Sequence, residues 1–165
     1  LDEMFLGFAG LFLMDKLGVM PAFLSLALLA PTVGGLLGLT WLERKGKELA
    51  PGRLLGIAAL VSLIGILGLV TAVHWALALP ALLLTGLGAA PWYIVAQAQA
   101  LKSLPGRSGT VGALHALFAP IEIVAPLLIG LVAERWGIQA GITIFLIAPI
   151  LVLFVRPRPS GRVFK

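Results

Sequence analysis

Cysteine is absent, and charged residues make up only 12% of the chain. The first absence removes thiolate chemistry, disulfide staples and cysteine-based zinc sites. The second argues against intrinsic disorder and against an ordinary water-soluble domain, in which roughly 25% of residues are charged. Histidine occurs only at His74 and His115, too few for a His-rich metal site. Apolar residues fill the chain instead: 60% of its 165 residues are hydrophobic, and the mean hydropathy is +1.09. A soluble domain of 17.3 kDa has no interior large enough to hide so much apolar surface. The composition is that of a polytopic membrane protein, with neither a metal nor a cofactor expected.

Six apolar runs organise the sequence, over residues 1–14, 19–42, 54–73, 76–101, 109–133 and 138–155, with a basic tail over 156–165. Five of them approach the ~20 residues that cross a hydrocarbon core about 30 Å thick. They are too long for barrel strands of about 9–11 residues and lack period-two alternation, so they predict helices. The first run is shorter and ends at Asp15-Lys16-Leu17-Gly18; it reads as the remainder of a truncated helix. The expected architecture is a single six-helix transmembrane bundle.

The net charge of +5 and the isoelectric point near 10.3 are also those of nucleic-acid binders, but the distribution is wrong for one. The basic residues occupy gaps between the apolar runs rather than one face. Arg44, Lys45, Lys47 and Arg53 separate the second and third runs, Lys102 and Arg107 the fourth and fifth, and Arg156, Arg158, Arg162 and Lys165 form the tail. Only Lys16 and Arg135 fall in the alternate gaps. The positive-inside rule then predicts a multi-pass protein of the plasma (inner) membrane with both ends of this chain cytoplasmic. An even number of spans requires the same arrangement.

The runs are rich in helix-perturbing residues. Pro31, Pro91, Pro120, Pro126 and Pro149 fall within them, as membrane helices tolerate. Glycines such as Gly34, Gly35, Gly38, Gly65, Gly68, Gly109, Gly112 and Gly130 offer surfaces for close helix contact. Gly38 and Gly130 are read as packing positions, and Pro120 and Pro126 as kinks.

One punctuation recurs at span ends: acid, base, any residue, glycine. It occurs as Asp15-Lys16-Leu17-Gly18, Glu43-Arg44-Lys45-Gly46 and Glu134-Arg135-Trp136-Gly137. The charges can pair or bond terminal carbonyls, and the glycine can leave the helix by a left-handed turn. In Glu43-Arg44-Lys45-Gly46-Lys47 the chain resembles the major facilitator superfamily of secondary transporters, whose loop G-x-x-x-D-R-x-G-R/K-R/K joins the second and third helices of each half. The leading glycine is displaced to Gly38, Glu43 replaces Asp, and Glu48 replaces the second basic residue, as in the worn motif of C-terminal halves. Leu104-Pro105-Gly106-Arg107-Ser108-Gly109 followed by Thr110-Val111-Gly112 is similar to the family's turn into its eleventh helix. The fourth run lacks the arginine often found there in N-terminal halves, which favours the same assignment. The resemblance implies two inverted three-helix repeats, a partnering N-terminal six-helix half, a small-molecule substrate, and alternating access, including efflux. It also implies a gating loop at Glu43, Arg44, Gly46 and Lys47.

Glu122 is the most informative single residue. It lies in the middle of the fifth run, where a charge costs about 2.5–3.5 kcal/mol on insertion scales, so it should face a cavity or the bundle interior. There it could carry protons. His115, seven residues earlier, lies on the same helix face, roughly 10.5 Å away along the axis. Asp2 and Glu3 fall near mid-membrane if the first helix extends upstream, and are solvated if the chain starts at Leu1. Glu3 is ~17 Å from Met14 along a helix. Tyr93 and Gln97 share a face of the fourth helix and could hydrogen-bond a substrate or a neighbouring helix, whereas Gln99 points elsewhere. The third and sixth runs carry little polarity beyond Ser62, Thr71, Gln139 and Thr143.

The expected function is therefore secondary active transport of a small solute, coupled to protons, with lipid as solvent and no nucleic-acid partner. A stand-alone six-span channel or membrane scaffold is the alternative. A rhomboid-like intramembrane protease is a remote one: Gly106-Arg107-Ser108-Gly109 has the form G-x-S-G, but no histidine follows His115 to serve as a base on a later helix. The chain is not expected to be an enzyme.

Overall fold

The computed structural model describes residues 2–46, 48–103 and 108–155, without the side chains of Asp2, Ala100, Ser103, Ser108, Glu122 and most of residues 110–119. All regular structure among them is helical. The helices are α1 (Asp2–Asp15), α2 (Pro21–Lys45), α3 (Pro51–Val70), α4 (Trp75–Ser103), α5 (Ser108–Trp136), α6 (Ile138–Ile144) and α7 (Ile147–Val155). Among the described residues, four stretches are long and apolar enough to cross a membrane: Pro21–Lys45, Pro51–Val70, Trp75–Gln99 and Ile138–Val155. In lipid a helix satisfies its own backbone, so an uninterrupted apolar run has few alternatives.

Proline and glycine set the ends. Pro21 and Pro51 open α2 and α3, where an N–H would have no helical acceptor, and Met20 and Ala50 before them are extended. Gly18 leaves α1 with φ 63°, and Gly137 joins α5 to α6 with φ 90° and ψ 157°, a region open essentially to glycine alone. Gly46 departs from this pattern. Its φ is −63° and ψ −24°, and its N–H donates to the Leu42 carbonyl at 2.6 Å. A positive-φ glycine exit occurs at two of the three acid–base–glycine copies, and at Gly137 it is extended rather than a left-handed turn. At the third, the Lys45 carbonyl accepts from Glu48 and Leu49 N–H at 3.1 and 3.2 Å, so the chain keeps turning until Ala50.

The sixth run also departs from the single helix its apolarity predicts. It breaks between α6 and α7. Pro149 has no N–H for the carbonyl of Phe145. The residues between the halves tighten into three-residue turns, with Phe145 N–H on Ile142 O and Leu146 N–H on Thr143 O, both at 3.1 Å.

The centre of the bundle is α4, held between α2 and α3. The α2–α4 seam runs parallel: a Cβ on Gly34 would overlap the Leu83 carbonyl, and one on Gly38 would overlap that of Leu87. From the other side, a Cβ on Gly86 would overlap the Pro31 carbonyl. The α3–α4 seam is antiparallel, with Gly68 against Ala81, Gly65 against Thr85, and Gly88 against Ser62 and Ala58. Without side chains at these points the backbones meet directly, which is how helices associate in lipid. Pro91 cannot donate to the Leu87 carbonyl, and Gly38 lies over that same oxygen. A weak Cα–H···O contact there covers an acceptor that α4 cannot satisfy.

The other helices gather around this layer. α6 and α7 pack on α3, α1 packs on α6 and α2, and α5 rests on α6 with slight contact to α4. Gln139 ties α6 to the end of α3 by donating to the Val70 carbonyl at 2.7 Å. The apolar core includes Phe5, Phe12, Leu13, Leu69, Leu82, Ile142 and Phe145. Phe145 meets Phe5 edge-on, with centroids 5.3 Å apart and planes at 79°, and lies 6.1 Å from Phe8. The opposite, basic end carries Arg44, Lys45, Arg53 and Lys102 at the ends of α2, α3 and α4.

Candidate functional site

A cavity of about 620 Å³ opens where the broken sixth run passes α3 and α4. Small-molecule sites typically occupy about 300–1,000 Å³. Phe5 and Phe145 line it at mid-bundle, with Ser62 and Ile66 of α3 and Thr85 of α4. From there it runs toward the basic end, along Leu55, Ala89, Trp92, Tyr93, Ala96, Ala148 and Val152. Its space has an identifiable origin. Alanines at positions 89, 90, 96 and 148 withhold side-chain volume, and the turn before Pro149 interrupts the helix that forms one wall.

The polar groups on this wall are few and differ in state. Thr85 is buried, and its hydroxyl donates to the Ala81 carbonyl at 2.9 Å. Ser62 is fully buried, and its hydroxyl has no partner among the described residues. Tyr93 is 59% exposed, so its phenol lies at the open end.

Of the residues singled out from sequence, Tyr93 lies on this wall. Gln97 does not: it is exposed on α4. Gln99, which points elsewhere on the helix, is half-buried, and its amide nitrogen has no partner among the described residues. Glu3 is exposed on the first turn of α1. The side chains of Glu122, His115 and Asp2 lie outside the described residues, although all three backbone positions are helical. In the expected gating loop, Glu43 and Arg44 are exposed and Lys47 lies outside the described residues. The ion pair found there joins Lys45 to Glu48 at 2.7 Å.

Gly38 sits in the α2–α4 seam, but a Cβ on Gly130 would meet nothing within 4 Å. Gly130 therefore makes no close helix contact among the described residues, because the part of α5 it occupies leaves that side open. Pro120 and Pro126 lie inside α5 without ending it. Of the protease-like motif, Gly106 and Arg107 are outside the described residues. No group of three potential metal ligands occurs among the described residues.

Sequence reasoning passed over Ser62 and Thr85. Each is a lone hydroxyl in an apolar run, a pattern that usually means a back-bonded helix residue. A sharper signal was present in the small residues Ala58, Ser62 and Gly65, which recur at helical spacing along one face of α3. That face meets α4 and borders the cavity.

The helices and composition are those of a helical membrane protein. No family model, curated protein or solved structure matches the chain.

Proposed function

We propose that this chain is one half of a secondary active transporter of the kind it resembles, moving a small solute by alternating access. The helix pairing supports this reading. Exchange α1 with α4, α2 with α5, and α3 with α6–α7. The α3–α4 contact then becomes the α6–α1 contact, α1–α2 becomes α4–α5, and α3 against α6–α7 maps onto itself. Each three-helix unit crosses the membrane an odd number of times, so the second starts on the opposite side and is inverted. The tight α2–α4 seam has no equally close α5–α1 counterpart, and the α5–α6 contact no equally close α2–α3 counterpart, among the described residues.

A second six-helix half completes the transport path, and the two halves rock about a site between them. Glu122, at the middle of α5, serves as the proton carrier, with His115 and the Asp2–Glu3 pair as further groups along the pathway. The loop from Glu43 to Lys47 forms a contact at the cytoplasmic gate.

The test is transport by the intact gene product in proteoliposomes with an imposed pH gradient, using a panel of radiolabelled amphipathic solutes. A carrier supports counterflow of labelled against unlabelled solute, which a channel does not. Glu122→Gln is expected to keep counterflow and lose gradient-driven accumulation. Unchanged accumulation in that variant removes Glu122 from coupling, and the absence of counterflow in the parent removes the carrier reading.

A further inference from the structure

The depth of the cavity has a counterpart in the bilayer. α3 packs against both α4 and α7, whereas α4 and α7 make slight contact at most. The space is therefore a slot with α3 at its back and the other two helices at its sides. On α3 it extends from Leu55 to Ile66, and on α4 from Thr85 to Ala96. Each stretch covers 11 residue steps, roughly 16 Å at 1.5 Å per residue. Half of a hydrocarbon core about 30 Å thick is ~15 Å. The slot is as deep as one leaflet, and it runs along the helices, the direction in which that leaflet's acyl chains lie.

The lining suits hydrocarbon and little else. Alanine, leucine, isoleucine, valine and aromatic side chains make up most of it. The Thr85 hydroxyl donates to its own helix, and Ser62 is fully buried and presents no surface to the space. A polar solute would leave its groups unanswered there, and a stable water needs several polar partners. An empty slot forfeits the dispersion contacts of its walls. A lipid chain restores them, and the bilayer supplies one along the exposed edge at Tyr93, Ile94 and Ala96.

Charge at the open end selects among lipids. Arg44, Lys45, Arg53 and Lys102 stand there with the acids Glu43 and Glu48, which leaves an excess of positive charge. Lys45 is taken up by Glu48 at 2.7 Å. Arg44, Arg53 and Lys102 are exposed and enter no ion pair among the described residues. At the helix ends they lie at headgroup level. They act there as a field reaching about 8 Å in physiological salt, rather than as one fitted pair.

We infer that the slot between α3, α4 and α7 holds one acyl chain of an anionic phospholipid, whose headgroup is retained at the basic end by the excess of Arg and Lys. The site lies within this chain's own helices and needs no second half. Binding here stands apart from the transport reading and is tested without any flux.

The test uses the full chain in phosphatidylcholine liposomes and the fluorescence of Trp92, which lines the slot. Trp41→Phe, Trp75→Phe and Trp136→Phe leave Trp92 as the single reporter. A companion protein keeps only Trp75, at the opposite end of α4 and outside the slot. Lipids brominated in one acyl chain quench tryptophan on contact, and they are added at a low fraction as phosphatidylglycerol or as phosphatidylcholine. Trp92 is expected to be quenched preferentially by the phosphatidylglycerol, by about five-fold for each base within reach of the headgroup, and Trp75 equally by both lipids. Arg53→Gln combined with Lys102→Gln should lower the preference at Trp92 by about five-fold or more. Ala148→Phe should fill the slot and remove the preference, and Val152→Phe provides a second filling variant if the first does not fold. Equal quenching of Trp92 by the two lipids would overturn the inference. So would a preference at Trp75 as large as that at Trp92, a preference unchanged by the paired base substitutions, or one that survives both filling variants.

Discussion

A Cβ on Gly34, Gly38, Gly65, Gly86 or Gly88 would strike the backbone of a neighbouring helix, whereas a Cβ on Gly109 or Gly130 of α5 would meet nothing within 4 Å. One residue type therefore does different work in two parts of the same bundle. In the α2–α3–α4 layer, glycine allows backbone-to-backbone approach, and dispersion between closely fitted surfaces replaces the hydrophobic driving force that lipid cannot supply. In α5 the same residue leaves a shallow place on a surface that presents Ile121, Ile123, Val124, Leu127, Leu128 and Leu131 outward. The first region is a closely packed slab. The second rests mainly on α6 and keeps an outer face for lipid or a partner helix.

The contrast breaks most sharply with paired substitutions. Gly86→Leu places a side chain where the Pro31 carbonyl stands, and overpacking of that kind costs about 3 kcal/mol or more where neither backbone can retreat. The same change at Gly130 enters open space and should leave the melting temperature in detergent close to that of the parent. Similar losses in the two variants would mean that α5 packs as tightly as the slab.

A smaller effect is expected at the turns. Gly137→Ala forces a side chain into φ 90°, ψ 157° and should cost about 1–3 kcal/mol, while Gly18→Ala should cost less because its φ of 63° is closer to values that other residues adopt. Thermal unfolding of the two variants side by side orders them, and the reverse order would deny that Gly137 sets the α5–α6 connection.

The smallest effect concerns the tie between the two regions. Gln139→Ala removes the bond to the Val70 carbonyl and should cost about 1 kcal/mol. Hydrogen exchange should then quicken at the start of α6 while the Gly34–Leu83 seam stays protected. Faster exchange in that seam would mean that the regions unfold as one.

Several features of this molecule could be read directly from residue order. Run length and apolarity point to membrane-spanning helices because lipid offers backbone groups no partner outside the helix. Pro21 and Pro51 mark helix starts for an equally local reason: a fixed φ and a missing N–H suit the first turn. Gly18 and Gly137 could be read as turns, yet Gly46, in the same four-residue pattern, stays right-handed. That difference depends on Glu48 and Leu49 bonding back to Lys45, beyond the motif itself. Pro149 was visible inside its run, but a proline can kink, bend or break a helix, and the sequence does not say which; here the run breaks between α6 and α7, both packed on α3.

The candidate site was far less legible. Tyr93 stands out because an isolated phenol in an apolar run is conspicuous, and Gln97 joins it on helical spacing alone. Spacing tells which residues share a face, but not which neighbour that face meets, so it could not predict that Gln97 would be exposed and Gln99 half-buried. Ser62 depended on a still more distant circumstance. Its burial follows from the approach of Gly88, 26 positions later, to Ala58 and Ser62. Class, helices and several of their ends follow from short-range chemistry carried by each segment. The roles of the glycines and the cavity arise from contacts between segments, and those exist only once α3 and α4 have crossed.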